Sequence, residues 1–202
     1  EGAYEMTLDS IVEAAVEGAN DGAYEIHIVS GLHPDWSYEF YVDMVRRVRE
    51  ATPRHVIVQA FTAVEIEHMA KIAGKPTLEV LRDLKAAGLD ALPGGGAEIF
   101  SDRTRAAAWE KKTASDVWLR IHGEAHSLGI GTNCTMLYGH IELPEERVDH
   151  LIRLREQQDA SGGFLAFIPL AFHPANTELE DLPGTTGFDD LKTLAIARLM
   201  LD

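Results

Sequence analysis

Cysteine is nearly absent from the 202 residues: Cys134 stands alone. One thiol excludes an intrachain disulfide framework. It also excludes any metal cluster held by several thiolates of this chain. Long apolar runs are missing too, and none approaches the ~18 residues of a membrane span. The opening Glu1-Gly-Ala-Tyr-Glu5 has neither the basic nor the apolar segment of a secretory signal, so the expected location is the cytoplasm. Basic residues are scarce, 18 against 33 acidic ones, for a formal charge of −15. That balance excludes a protein that works by neutralising a nucleic-acid backbone or an anionic membrane surface. The remainder is ordinary for one globular domain: 46% hydrophobic and 25% charged residues rule out wholesale disorder.

What is present is an alternation. Short β-branched runs predict strands over 24–30, 55–59, 89–92, 130–137 and 164–170. Between them lie segments of helical period, over 8–19, 37–51, from Thr62, from Pro76, near Ile99, from Thr113, from Pro144 to 158 and over 189–201. Thr62-Ala-Val-Glu65 is a capping box, and Gly88 and Gly129 are helix stops. Each strand start is followed by room for a βα unit, which needs ~30 residues. Successive units without hairpin signals imply a parallel sheet with right-handed crossovers. The expected fold is α/β, a partial (β/α) barrel of about five consecutive units. A barrel is favoured because the unusual loops all follow strands, the end at which barrel enzymes build their sites.

Those loops hold Ser30, Gly31, His33 and Asp35; Gln59 and Thr62; Gly94, Gly95, Gly96 and Glu98; Thr135, His140 and Glu142; and His173, Asn176 and Thr177. In a barrel they share one rim. His33, His140 and His173 read either as a metal site of a barrel hydrolase or as separate polar contacts. The glycine triplet reads as backbone approaching a ligand or as a tight turn. Glu98 either accepts from ribose hydroxyls or caps the next helix. Ser30-Gly31 leaves strand-end backbone groups free for an amino acid's ammonium or carboxylate. His27 is expected to be packed mid-strand, with His55, His68 and His150 on the surface. Cys134 is expected to be an inert buried thiol.

Five stretches carry a resemblance to a known family: His27-Ile-Val-Ser-Gly-Leu-His-Pro-Asp35, Ala60-Phe-Thr-Ala-Val-Glu-Ile66, Gly88-Leu-Asp-Ala-Leu-Pro-Gly-Gly-Gly-Ala-Glu-Ile-Phe100, Thr135-Met-Leu-Tyr-Gly-His-Ile-Glu142, and Phe167-Ile-Pro-Leu-Ala-Phe-His-Pro174 with Asn176-Thr177. In order and spacing they resemble the radical S-adenosylmethionine enzymes of the menaquinone (futalosine) and deazaflavin pathways. Pro93-Gly-Gly-Gly-Ala-Glu98 favours the futalosine branch over the deazaflavin one, and Leu32-His33-Pro34 with Leu170-Ala-Phe-His173 favours the radical-adding enzymes of that branch over its cyclase. The alternatives within the family are the cyclase of that route and the deazaflavin enzymes.

The resemblance implies a [4Fe–4S] cluster that reduces S-adenosylmethionine to a 5′-deoxyadenosyl radical. It implies addition of that radical to the vinyl carbon of 3-[(1-carboxyvinyl)oxy]benzoate, and an electron donor such as flavodoxin or ferredoxin. By position, Ser30 and Gly31 match the strand-end motif that grips the methionine moiety, and Glu98 falls at the ribose. Thr135, Leu137, His140, Glu142 and Ile168 fall on the adenine side. His33, Thr62, His173 and Asn176 are left to face the aryl ether substrate. Arg103 and Arg105 either pair with a substrate carboxylate or lie on a solvated helix face. The family's Cys-x-x-x-Cys-x-x-Cys loop is missing from the sequence. Residues 1–202 are therefore expected to be an incomplete barrel core, lacking the first strand with its cluster loop and the C-terminal part. Its open sheet edges predict pairing with a second copy or poor solubility.

Overall fold

In the computed structural model, residues 4–109 and 112–201 are described. Eight helices and five strands alternate among them: α1 (Leu8–Asn20), β1 (Glu25–Ile28), α2 (Tyr38–Ala51), β2 (Ile57–Ala60), α3 (Ala63–Ala73), α4 (Thr77–Ala87), β3 (Ala91–Leu92), α5 (Asp102–Ala108), α6 (Ser115–Ser127), β4 (Gly131–Tyr138), α7 (Pro144–Ser161), β5 (Phe164–Ala171) and α8 (Gly187–Met200). The strands form one sheet in the order β1-β2-β3-β4-β5, every pair parallel. The expected partial (β/α) barrel is the fold observed. No helix among the described residues is long and apolar enough to cross a membrane.

The helices begin where side chains can satisfy orphan backbone donors. Thr7, Ser37, Ser101 and Thr186 accept the N–H of the third residue onward at α1, α2, α5 and α8. The predicted capping box of Thr62 and Glu65 opens α3.

Successive strand residues point to opposite faces, and the two faces of this sheet differ. Ile26, Ile28, Val58, Ala60, Leu92 and Cys134 pack with Val45, Val48, Ile66, Leu81, Leu84, Trp118 and Ile121 of the helices in one continuous core. The other face is open. Glu25, His27 and Ile57 are exposed on it, and Leu165, Ile168 and Leu170 of β5 are 67%, 40% and 46% exposed. Gln59, expected at the rim, lies mid-strand on this face instead. It donates to Glu25 (3.2 Å) and accepts from Asn133 (3.3 Å), a polar ladder from β1 to β4.

Three further sequence expectations change. His27 is exposed on the open face rather than packed, because a fold with this face uncovered puts nothing against it. His150 is fully buried rather than superficial. Its Nδ1 accepts the Phe100 N–H (3.2 Å), its Nε2 donates to the Thr135 carbonyl (2.9 Å), and its ring stacks on Phe100 at 4.0 Å. Burial holds its pKa down at about 3. Arg105 is buried and donates to the carbonyls of Ala97, Ile99 and Thr113. Arg103, by contrast, keeps its solvated-face reading: it is half-exposed on α5 and donates to Glu146 and the Ile141 carbonyl.

Candidate functional site

The carboxyl ends of all five strands open at one end of the sheet, which makes the loops after them a single mouth. Its first half is built by one side chain. Glu65, in the first turn of α3, is 3% exposed. Its Oε1 accepts from the Ser30 N–H and Oγ–H at 3.0 Å each, and its Oε2 from the Thr62 N–H (2.7 Å) and Oγ1–H (2.8 Å). The ends of β1 and β2 are thereby joined through a carboxylate. Between them Phe61, fully buried, adopts the left-handed backbone at φ 64°. A bulky residue rarely holds that state.

The loop after β3 fits against this assembly so closely that only glycine serves. A Cβ on Gly94 would sit 2.8 Å from the Asn133 carbonyl oxygen, and one on Gly95 would sit 2.8 Å from Thr62 Cγ2. The triplet is therefore required by neighbouring loops of the protein itself. Trp118 Nε1 donates to the Gly95 carbonyl (3.1 Å) from beneath, and Thr135 Oγ1 donates to the Gly94 carbonyl (2.6 Å) from β4. Glu98 has φ 47°, its carbonyl accepts the Leu137 N–H (2.9 Å), and its carboxylate lies 3.3 Å from Lys112 Nζ.

The second half is tied differently. Glu142 accepts the N–H groups of Gly139 (2.5 Å) and His140 (2.8 Å), and pairs with Arg147 Nε (2.7 Å) and Nη2 (2.6 Å). Its carboxylate serves its own turn and α7. His140 donates through Nε2 to the Leu137 carbonyl (3.0 Å), with its ring edge-on to Trp109 and Phe172. On the open face, Thr135 is opposite Ile168 and Leu137 opposite Leu170.

The structure thus brings Ser30, Thr62, the Gly94–Gly96 turn, Glu98, Thr135, Leu137 and Ile168 into one continuous rim. It does not bring the three histidines together. His33 stacks on Trp36 at 4.5 Å and accepts the Asp35 N–H (3.1 Å). His140 is enclosed, and His173 is exposed with Asn176 beyond β5. Among the described residues no group of three His, Cys, Asp or Glu side chains could hold a metal ion. The hydrolase alternative falls on that geometry.

Residues 1–155 match the model of the radical SAM superfamily. The chain belongs to the radical SAM superfamily. Aminodeoxyfutalosine synthase of Thermus thermophilus is 52% identical over 100% of this chain and 55% of its own length. The Streptomyces coelicolor protein of that name is 41% identical over 99% of the chain and 54% of its length. The 5-amino-6-(D-ribitylamino)uracil–L-tyrosine 4-hydroxyphenyl transferase of Methanopyrus kandleri is 40% identical over 98% and 54%. The chain spans about half the length of the curated relatives it matches. Methylornithine synthase shares the fold, with a TM-score of 0.70 at 16% identity over 99% of this chain and 54% of that one.

Radical SAM membership implies S-adenosylmethionine and a [4Fe–4S] cluster in general. The residues present do not fit the cluster. It takes at least three thiolates, whereas Cys134 is one thiol, buried on the helix-covered face of β4 and bonded to the Ala166 carbonyl (3.5 Å). Burial pushes its pKa up to about 12, so it is protonated and inert, as expected. Among the rim residues Ser30, Thr62 and Glu98 are polar, and Leu137 and Ile168 on β4 and β5 are apolar.

Sequence reasoning missed Glu65 as a link between loops. The capping box revealed its bond to Thr62, but its bond to Ser30 spans 35 residues and leaves no local signal.

Proposed function

We propose that this chain is the S-adenosylmethionine-receiving core of an aminodeoxyfutalosine synthase. In this reading the parent protein transfers the 5′-deoxyadenosyl group of S-adenosylmethionine to the vinyl carbon of 3-[(1-carboxyvinyl)oxy]benzoate, with loss of a carboxyl carbon. The observation that carries the reading is the 52% identity along the whole chain to one such enzyme, against 40% to a deazaflavin-branch transferase. The shape of the mouth supports it. Ser30 and Gly31 receive the methionine end, Glu98 the ribose, and Thr135, Leu137 and Ile168 the adenine. His140 and Glu142 hold the turn behind the adenine side. Thr62, His33, His173 and Asn176 are assigned to the aryl ether, His33 turning from Trp36 to do so. The cluster's thiolates come from outside this sequence, and an external electron donor such as flavodoxin or ferredoxin is required.

The test is turnover by the full-length protein, anaerobic and reduced. With S-adenosylmethionine and 3-[(1-carboxyvinyl)oxy]benzoate, mass spectrometry should find a product joining the two carbon skeletons. Turnover of L-tyrosine with 5-amino-6-(D-ribitylamino)uracil instead would reassign the chain to the deazaflavin branch.

A further inference from the structure

Glu98 holds a left-handed backbone, φ 47°, although it carries a side chain. Such a state persists only where the surroundings over-determine it, and the carbonyls of 97–99 show what does so. Arg105 Nη1 donates to the Ala97 carbonyl (2.8 Å) and to the Ile99 carbonyl (3.3 Å). The Glu98 carbonyl between them accepts the Leu137 N–H of β4 (2.9 Å). Three successive carbonyls are thus taken, the outer two by one guanidinium and the middle one by the neighbouring strand.

The same guanidinium, 6% exposed, reaches a second segment. Its Nη2 donates to the Thr113 carbonyl. Thr113 is fixed a second time by its hydroxyl, which donates to Glu67 of α3 (2.7 Å). Lys112, next to Thr113, is the residue whose Nζ lies 3.3 Å from the Glu98 carboxylate. Both members of that ion pair are therefore chain neighbours of groups bonded to Arg105. Ser101, and not Glu98, caps α5, so the carboxylate has no duty to the helix that follows it. A planar fork of five donors can serve three carbonyls at once, whereas the point charge of a lysine cannot.

We infer that Arg105 is a positioning residue: from within the core it holds the backbone of Glu98 and the segment carrying Lys112, and so sets where the Glu98 carboxylate meets the hydroxyls of a ribose. The inference deepens the proposed function and rests on it for the identity of the ligand.

Arg105→Lys keeps the charge and removes the span. In the full-length protein, amide exchange of Leu137, the donor to Glu98, should quicken about tenfold, while the interiors of α3 and α6 stay protected. Equilibrium dialysis with S-adenosylmethionine and with its 2′,3′-dideoxy analogue reads the site itself. The wild type should prefer the hydroxyl-bearing ligand about tenfold. R105K should lose most of that preference while binding the analogue as the wild type does, an outcome that a role confined to stability would not produce. Glu98→Ala should lose the preference too, and R105K added to E98A should lose no more than E98A alone. Should R105K fold poorly, the wild type still decides: the guanidinium ¹⁵N signals of Arg105 should shift with S-adenosylmethionine and not with the analogue. Unchanged exchange at Leu137, a retained preference in R105K, or Arg105 signals that ignore the ligand overturns the inference and leaves the proposed function standing. A wild type that binds neither ligand, or both alike, instead overturns the ribose assignment within the proposed function, and Leu137 exchange alone then upholds or overturns the hold of Arg105 on Glu98.

Discussion

The two halves of the mouth are built on opposite principles. In the β1–β3 half one buried carboxylate, Glu65, gathers donors from two loops and registers a third. In the β4–β5 half the comparable carboxylate, Glu142, gathers donors from its own turn and is tied outward to α7 through Arg147, which reaches on to Thr193 of α8 (3.4 Å). The first half is one unit set by long-range bonds. The second is a set of loops, each held by its own helix, with the loop after β5 exposed. The Thr135–Gly94 hydrogen bond is a joint between them.

Four perturbations sharpen this contrast. The largest expected effect is from Trp118→Ala. Trp118 is fully buried, stacks on His122 at 3.6 Å and supports the Gly95 carbonyl. Its removal should cost about 4 kcal/mol, read by denaturant unfolding, and loosen the first half as a whole. Arg147→Ala leaves the buried Glu142 without its countercharge and should cost about 3 kcal/mol. Hydrogen exchange should then rise at 139–142 and in α8 but not at Ser30 or Thr62. A rise at Ser30 would show the halves to be one unit after all.

Acid gives the third. His150 is neutral when folded, with a pKa of about 3, and the unfolded imidazole has its ordinary value of 6.5. Between those values the unfolded chain binds the extra proton, so stability is full above pH 6.5 and falls as pH drops. The loss is about 2 kcal/mol from His150 alone by pH 5. Burial lowers His126 to about 4 and His122 in the same direction, and both sit on Thr132 of β4. Acid should therefore open β4, α6 and α7 first, as exchange at pH 5 against pH 7 will read. The smallest effect is from Thr135→Val, which removes the joint and leaves the Gly94 carbonyl unpaired at a cost of about 1 kcal/mol. Glycine-loop exchange should rise without change at Glu142's turn.

The sequence made the architecture legible because short β-branched runs bounded by turn residues and helices with apolar stripes both leave local marks, although the lack of polar alternation in the strands concealed that one face is open. Predicted strand positions 24, 55, 130 and 164 lie within two residues of the observed starts. The mouth was legible for the same reason, since rim loops follow strands by topology. Side-chain environments were not. His150 and His27 look alike in a sequence, yet one is saturated by Phe100 and Thr135 inside the core and the other faces an open surface. A histidine with both nitrogens bonded can be buried, and nothing local announces the partners. Arg105 was illegible likewise, because its partners are carbonyls. Glycine's demand at 94 and 95 comes from β4 and from Thr62, so the triplet alone could not tell ligand from neighbour.

Phe61 makes a natural gauge. Glycine there would relieve a torsional penalty of about 1 kcal/mol, yet it would also empty the space where the ring meets Tyr41 edge-on at 5.7 Å, a loss several times larger. The wild-type aromatic is thus kept in an awkward posture by its surroundings, and any variant that slackens those surroundings should register first as a shift of the ring NMR signals of neighbouring Tyr41.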